Sequence, residues 1–312
     1  MLSRVAERLY WMARYIERAE NTARMTKAFH LLALDMPKTV TLSWKGLVAV
    51  SGLEALFEEH YQREDERNCV KFVLADASNP SSVLSSLRAA RENVRTTRDL
   101  IPIEAWEIVN ELYLFARDNI DGGIGKRGRF EFLSEIVQRC QMLTGMLAGG
   151  MSHDAAYDFI RLGRNLERAD MATRQIDVGA IRLLSRKDDP EPYEGLLWTS
   201  VLRSQSGFQM YRQHVRRRIT GPDVVRFLLQ DVTFPRSVAH ALSHAQLAVE
   251  SFPHNEIPLR LAMQARRHAQ DADVEKLIGN EQLHDFMDRL QLEVAQLHEA
   301  IADCWFPQAF ES

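Results

Sequence analysis

Residues 14–24, RYIERAENTAR, and residues 164–174, RNLERADMATR, share the pattern R-x-x-E-R-A-[E/D]-x-x-x-R at an offset of 150. Six of the eleven positions match, one of them conservatively, and a match of that density at long period marks an internal repeat. A second pair supports the register. FVLADASNPSSVLSSL from Phe72 and FLLQDVTFPRSVAHAL from Phe227 share F-x-L-x-D-x-x-x-P-x-S-V-x-x-x-L at an offset of 155, and Trp44 and Trp198 fall between the two motifs at an offset of 154. The chain therefore reads as a tandem duplication of one unit, 1–150 and 151–312. No Pro-, Ser- or Gly-rich linker divides the halves, so one compact domain over 1–312 with pseudo-twofold character is expected.

The spacing around the repeat is helical. Val5, Leu9, Met12, Ile16, Ala19 and Ala23 recur at intervals of four and three, as do Ala155, Phe159, Leu162, Leu166, Ala169 and Thr173 in the second copy. Alternating, strand-like stretches are scarce, and the prolines and glycines fall mainly between periodic segments. The fold class is all-α, a helical bundle. Turns are expected around 37–43, 79–80, 121–128, 149–150, 187–193, 220–223 and 251–258. Pro80, Pro222 and Pro235 stand where helices begin. Asp76 and Ser82, like Asp231 and Ser237, fit a loop whose side chains cap the first turn of the helix that follows.

Composition narrows the function. The chain has 312 residues, 46% of them apolar and 26% charged, which is ample for a large core. Its net charge of -4 provides no global attraction to nucleic acid or to an anionic membrane. Arg4, Glu7 and Arg8 interrupt the start where a signal peptide needs an apolar run, and no segment reaches the length of a membrane span. A cytoplasmic protein is expected. Cys69, Cys140 and Cys304 lack the spacing of a disulfide framework or a zinc site and are expected to be free thiols. Only seven of the 39 basic residues are lysine. That bias towards arginine suits bidentate pairing with carboxylates or phosphates.

A second face of the first helix carries Ser3, Glu7, Tyr10, Arg14, Glu17, Asn21 and Arg24, while Trp11, Tyr15 and Arg18 occupy a third, so neighbours are expected on every side. Two readings follow for the stripe formed by Arg14, Glu17, Arg18, Arg24, Arg164, Glu167, Arg168 and Arg174. In one, Arg14, Glu17 and Arg24 pair with Arg164, Glu167 and Arg174 in a central ion network, because buried charges persist only when paired. In the other, surplus guanidinium groups leave a cationic cleft for a carboxylate or phosphate, with Glu17 or Glu167 as its acid/base or amine-binding group. Arg91, Arg95 and Arg98 form a further cluster spaced for one helical side. The second half has no equivalent arginines, which makes the cluster a candidate partner or anion site.

Familiar enzyme signatures are missing. GGIGKRG, 122–128, lacks the P-loop spacing and reads as a flexible loop. No Glu-x-x-His recurs as a di-iron bundle requires, and His240 and His244 lack a third ligand at any suggestive spacing, so no metal is expected. KDDPEP, 187–192, is not an aspartate-rich diphosphate motif. Arg216, Arg217 and Arg218 have no interleaved aromatics and read as a solvated face, and no serine or cysteine stands in a nucleophile motif.

LSRVAERLYWMARYIERAENTAR at the start, ARENVRTTRDLIPIEAWEIVNELY from Ala90 and FIRLGRNLERADMATR from Phe159 resemble the bacterial alpha-E family. The resemblance runs over essentially the whole chain. It implies an association with circularly permuted ATP-grasp proteins, and with transglutaminase-like and proteasome-related peptidases, in a system that makes or modifies peptide or amide bonds. On that implication the chain is a partner subunit of an ATP-grasp carboxylate-amine ligase, with an arginine-lined groove for an acidic substrate or for docking the ligase. ATP and Mg would reside on the ligase and no cofactor in this chain. Two alternatives stand beside it: an enzyme using Glu17 and Glu167 for acyl or aminoacyl chemistry, and a purely structural helical adaptor. The stretch 121–128 is longer and more basic than the family pattern.

Overall fold

The structure is a computed structural model that describes residues 3–179, 191–279 and 281–306. Among them fifteen α-helices and no strand are found, so the chain is all-α. The first half contains α1 (Ser3–Asp35), α2 (Lys45–Ser51), α3 (Glu54–His60), α4 (Glu66–Leu74), α5 (Val83–Arg95), α6 (Ile103–Ile124) and α7 (Arg129–Gly150). The second contains α8 (Ala155–Val178), α9 (Glu194–Ser204), α10 (Phe208–Val215), α11 (Gly221–Gln230), α12 (Val238–Glu250), α13 (Glu256–Gln270), α14 (Val274–Gly279) and α15 (Leu283–Trp305). The KDDP stretch, 187–190, lies outside the described residues.

The two helices that carry the repeat form the centre. α1 packs most extensively on α8, and is also covered by α5, α7 and α9, while α8 is covered by α12, α15 and α2. Leu9, Ile16, Ala19 and Ala23 of α1 and Phe159, Leu162, Leu166 and Ala169 of α8 are all buried, as their spacing predicts. Small residues let the two backbones approach. A Cβ at Gly163 would lie 2.3 Å from the carbonyl oxygen of Tyr10, so only glycine fits where α8 crosses α1. Helices matched by the sequence repeat have matched neighbours: α5 lies on α1 and α6 as α12 lies on α8 and α13, and α7 lies on α1 and α6 as α15 lies on α8 and α13.

Local chemistry sets the boundaries. Asp154 accepts hydrogen bonds from the amides of Ala156 and Tyr157 and starts α8. Ser82 and Ser237 accept from the amides of Ser85 and His240, so the expected serine caps are present. Asp76 and Asp231 bond instead to the amides of Ser78 and Thr233, tightening the preceding loops rather than the helices. Gly149 and Gly150 are exposed residues of the last turn of α7, and α6 continues through buried Gly123, where an added Cβ would meet the Phe132 ring at 2.4 Å. The glycine stretch is pinned by Arg129, whose side chain is 1% exposed. It donates to the carbonyls of Gly123 and Ile124, to which the end of α6 provides no amide, and pairs with Glu66 at 2.7 Å.

Candidate functional site

Along the seam between α1 and α8 the two ER pairs exchange partners. Arg14 Nε donates to Glu167 Oε2 at 2.7 Å, and Arg18 grips both oxygens of Glu167, Nε at 2.6 Å and Nη2 at 3.0 Å. In the opposite sense, Arg168 Nε stands 3.0 Å from Glu17 Oε2. Each glutamate is thus held by the arginine that follows its counterpart in sequence. Both are buried, which by itself would raise their pKa values, but the arginines outweigh burial and hold each carboxyl down at about 2.

The network departs from simple cross-pairing at both ends. Arg24 does not reach α8; it pairs with Glu20 one turn back on its own helix and donates to the hydroxyl of Ser206. Arg174 likewise pairs with Asp170 on its own helix, at 3.0 Å, and its Nη1 lies 2.9 Å from where a Cβ would stand on Gly52. Gly52 and Ser206 are matched residues, and both adopt the left-handed conformation, with φ of 69° and 53°. The i,i+4 spacing of Glu20 with Arg24, and of Asp170 with Arg174, makes these local pairs the shorter reach.

One arginine that the repeat did not single out completes one side. Arg236, at the N-terminus of α12, donates through Nη1 to Glu17 (2.9 Å) and Asn21 (2.8 Å) and through Nη2 to Glu20 (2.6 Å). Its counterpart at an offset of 155 is Ser81. There a cavity of about 110 Å³ opens instead, bordered by Arg18, Ser81, Glu167, Asp170 and Arg174. The signal for this difference lay in a variable position of the second motif, between the matched proline and serine.

Arg236 also changes what happens to Arg164. Arg14, its counterpart, bonds Glu167 and the hydroxyl of Tyr10. Arg164 has no ion pair among the described residues, since Glu17 is occupied by Arg168 and Arg236, and its buried Nε is unbonded. Nε of Arg161, one turn earlier, is also unbonded, while its Nη2 lies 3.3 Å from Asp158 Oδ1. Half-buried His244 faces this side, and burial followed by His240, Arg161, Arg164 and Arg168 depresses its pKa. The rings of His240 and His244 are 4.2 Å apart, with His240 Nδ1 bonded to the Val232 carbonyl. The face shared by α8 and α12 is therefore cationic. In the central cluster as a whole, seven guanidinium groups meet four carboxylates.

Arg91, Arg95 and Arg98 do not share a helical side, because α5 ends at Arg95 and Arg98 begins a short 3-10 turn, Arg98–Leu100. Arg91 donates to Asn110, Arg95 to Glu92, and the guanidinium groups of Arg91 and Arg98 both lie 5.6 Å from the Trp106 ring centre. Asp177, His284 and Asp288 bring one potential metal ligand each within 4.8 Å of one another, on the surface. Cys69, Cys140 and Cys304 are free thiols. No helix among the described residues is long and apolar enough to cross a membrane.

Residues 1–306 match the family described as Alpha-E, a predicted alpha-helical domain with a conserved ER motif. The chain belongs to the Alpha-E family. Two of the chain's own ER pairs, Glu17-Arg18 and Glu167-Arg168, form the reciprocal clamp. Uncharacterized proteins of Mycobacterium bovis and Mycobacterium tuberculosis are 21% identical to it over 268 residues. The match covers 80% of this chain but only 30% of each relative's length. No solved structure matches.

Proposed function

We propose that this Alpha-E chain is the non-nucleotide-binding partner of an ATP-grasp carboxylate-amine ligase. Its cationic α8–α12 face would hold an acidic substrate or dock the ligase. The observation that carries the reading is Arg164, a half-buried guanidinium without a carboxylate, flanked by Arg161, Arg168, His240 and His244. A half-buried guanidinium whose Nε has no hydrogen-bond partner carries a cost, and an incoming carboxylate or phosphate relieves it. The family's association with ATP-grasp proteins supplies the class of partner, and the greater length of the relatives suits a helical module that works against further protein. Acid/base catalysis by Glu17 or Glu167 fits less well. A proton shuttle works best with a pKa near the working pH, whereas both carboxyls are paired with arginines and held at about 2.

The test is co-purification with an ATP-grasp carboxylate-amine ligase from the same organism, followed by ligase assays with and without this chain. A complex that raises turnover, and that Arg161→Glu with Arg164→Glu weakens by about tenfold or more, is the expected result. No complex and unchanged turnover would remove the proposal. Turnover by the isolated chain would favour the catalytic alternative, and a complex indifferent to the charge reversals would favour a purely structural adaptor.

A further inference from the structure

We infer that the cavity beside Glu167, Asp170 and Ser81 is a binding site for a guanidinium-bearing ligand, either a small alkylguanidine or the arginine side chain of a peptide. The protein contains its own template for the bound state. On the matched side, Arg236 places one guanidinium between Glu17 and Glu20, 2.9 Å and 2.6 Å from their Oε1 atoms. Glu167 and Asp170 occupy the corresponding positions of the repeat, and Ser81 stands where Arg236 would originate. Arginine is present in one half and its volume is open in the other.

The chemistry of the lining fits the same group. A carboxylate offers about four lone-pair positions. Glu167 uses three, for Arg14 Nε, Arg18 Nε and Arg18 Nη2, so one remains. Asp170 accepts Arg174 at Oδ1, and among the described residues its other oxygen is left for a ligand. Asp170 is one methylene shorter than Glu20, which widens the space. Leu47, Val50 and Val73 supply an apolar wall along which an alkyl stem can lie. At about 110 Å³ the cavity far exceeds the roughly 10–15 Å³ that one water needs.

Arg18 and Arg174 also border the cavity, and their charge would oppose a third cation. The filled side answers this objection. Arg236 shares Glu17 and Glu20 with Arg168 and Arg24, which are the counterparts of Arg18 and Arg174. Arg14, which also bonds Glu167, has its counterpart in Arg164, whose charge acts on Glu17, so four guanidinium groups already stand around the corresponding acids Glu17 and Glu20. The planar fork matters here, because it bridges two carboxylates in a way that a compact ammonium does not.

The full chain is titrated calorimetrically with agmatine, with the blocked peptide Gly-Arg-Gly, and with butylamine at matched ionic strength. Saturable binding of one equivalent of agmatine is expected, with butylamine weaker by about tenfold. Binding of the peptide as tightly as agmatine identifies an arginine side chain as the natural occupant, whereas binding of agmatine alone identifies a small molecule. Ser81→Arg should abolish binding and raise the melting temperature by supplying the missing group in cis. Asp170→Asn, which keeps the side chain's shape, should weaken binding by about tenfold and serves if Ser81→Arg fails to fold. Arg236→Ser should lower the melting temperature, and methylguanidine should restore part of the loss. The site is overturned if neither agmatine nor the peptide binds, or if binding survives Ser81→Arg or Asp170→Asn undiminished. Absence of rescue in Arg236→Ser removes the template and overturns it equally.

Discussion

Glu17 and Glu167 occupy matched positions of the repeat and have the same immediate sequence, yet their surroundings differ. Glu17 is sealed by Arg236 and Asn21, and Arg164 is left without a carboxylate. Glu167 takes both Arg14 and Arg18 and borders an open cavity. One unmatched residue, arginine at 236 against serine at 81, closes the space beside Glu17 and frees the Arg164 guanidinium there, while the space beside Glu167 stays open. A repeated motif thus fixes which groups meet, while the residue that arrives from the neighbouring helix decides what they remain available to do.

The comparison is tested most strongly at the glutamates. Glu167→Gln should cost about 3–5 kcal/mol in denaturant unfolding, because Arg18 would keep no carboxylate and Arg14 only the Tyr10 hydroxyl. Glu17→Gln should cost less, since Arg236 retains Glu20 and Asn21. An equal or larger loss for Glu17→Gln would show that the two sides do not differ as their hydrogen bonds indicate. Next in size is Gly163→Ala. The added methyl would stand 2.3 Å from the Tyr10 carbonyl and force α1 and α8 apart, at about 1–3 kcal/mol. A neutral substitution would show that the seam is looser than its geometry.

Much of this centre was legible before any coordinates. The apolar periodicity gave α1 and α8, and the matched motifs gave the residues that meet between them. Partner choice was less legible, because helical spacing puts Arg24 within reach of Glu20 as readily as of anything on α8. Arg236 went unread because a repeat draws attention to what matches, and its importance lies in a mismatch. Arg129 was hidden in a glycine-rich stretch that reads as loop, though a buried arginine that caps a helix end needs carbonyls rather than a motif. Tyr10 and His298 are separated by 288 residues, and no spacing rule links them.

That last pair gives the halves different responses to acid. His298 Nδ1 lies 2.9 Å from the Tyr10 hydroxyl beside Arg14, and burial together with the Arg14 charge lowers its pKa to about 4 from 6.5. The unfolded chain therefore binds more protons in this interval, and the histidine's contribution to stability is present above pH 6.5 and lost as pH falls to about 4. Glu17 and Glu167, lowered from 4.5 to about 2, have the same sign in a more acid window. His298→Gln should reduce the slope of the stability profile between pH 4 and 6.5, leaving the part due to His244 and His30 and the steeper loss below pH 4.5. A profile unchanged by the substitution would place the titrating group elsewhere. Ile160, the counterpart of Tyr10, does not titrate, and on the Arg164 side it is His244, lowered by burial and by His240, that adds a slope of the same sign.

The smallest effect separates the central arginines from those on the surface. Arg95 has a side chain 54% exposed, and its pairing with Glu92 is worth little in water because solvent screens the charges and an ordered side chain loses entropy. Arg95→Ala should change stability by no more than about 0.5 kcal/mol. Arg91 is held by Asn110 and the face of Trp106, so its replacement should cost more than that of Arg95. If the cluster instead serves a partner, Arg95→Ala will weaken a complex while leaving unfolding untouched. The two measurements together distinguish a residue that holds the fold from one that faces outward, a distinction that arginine content alone does not make.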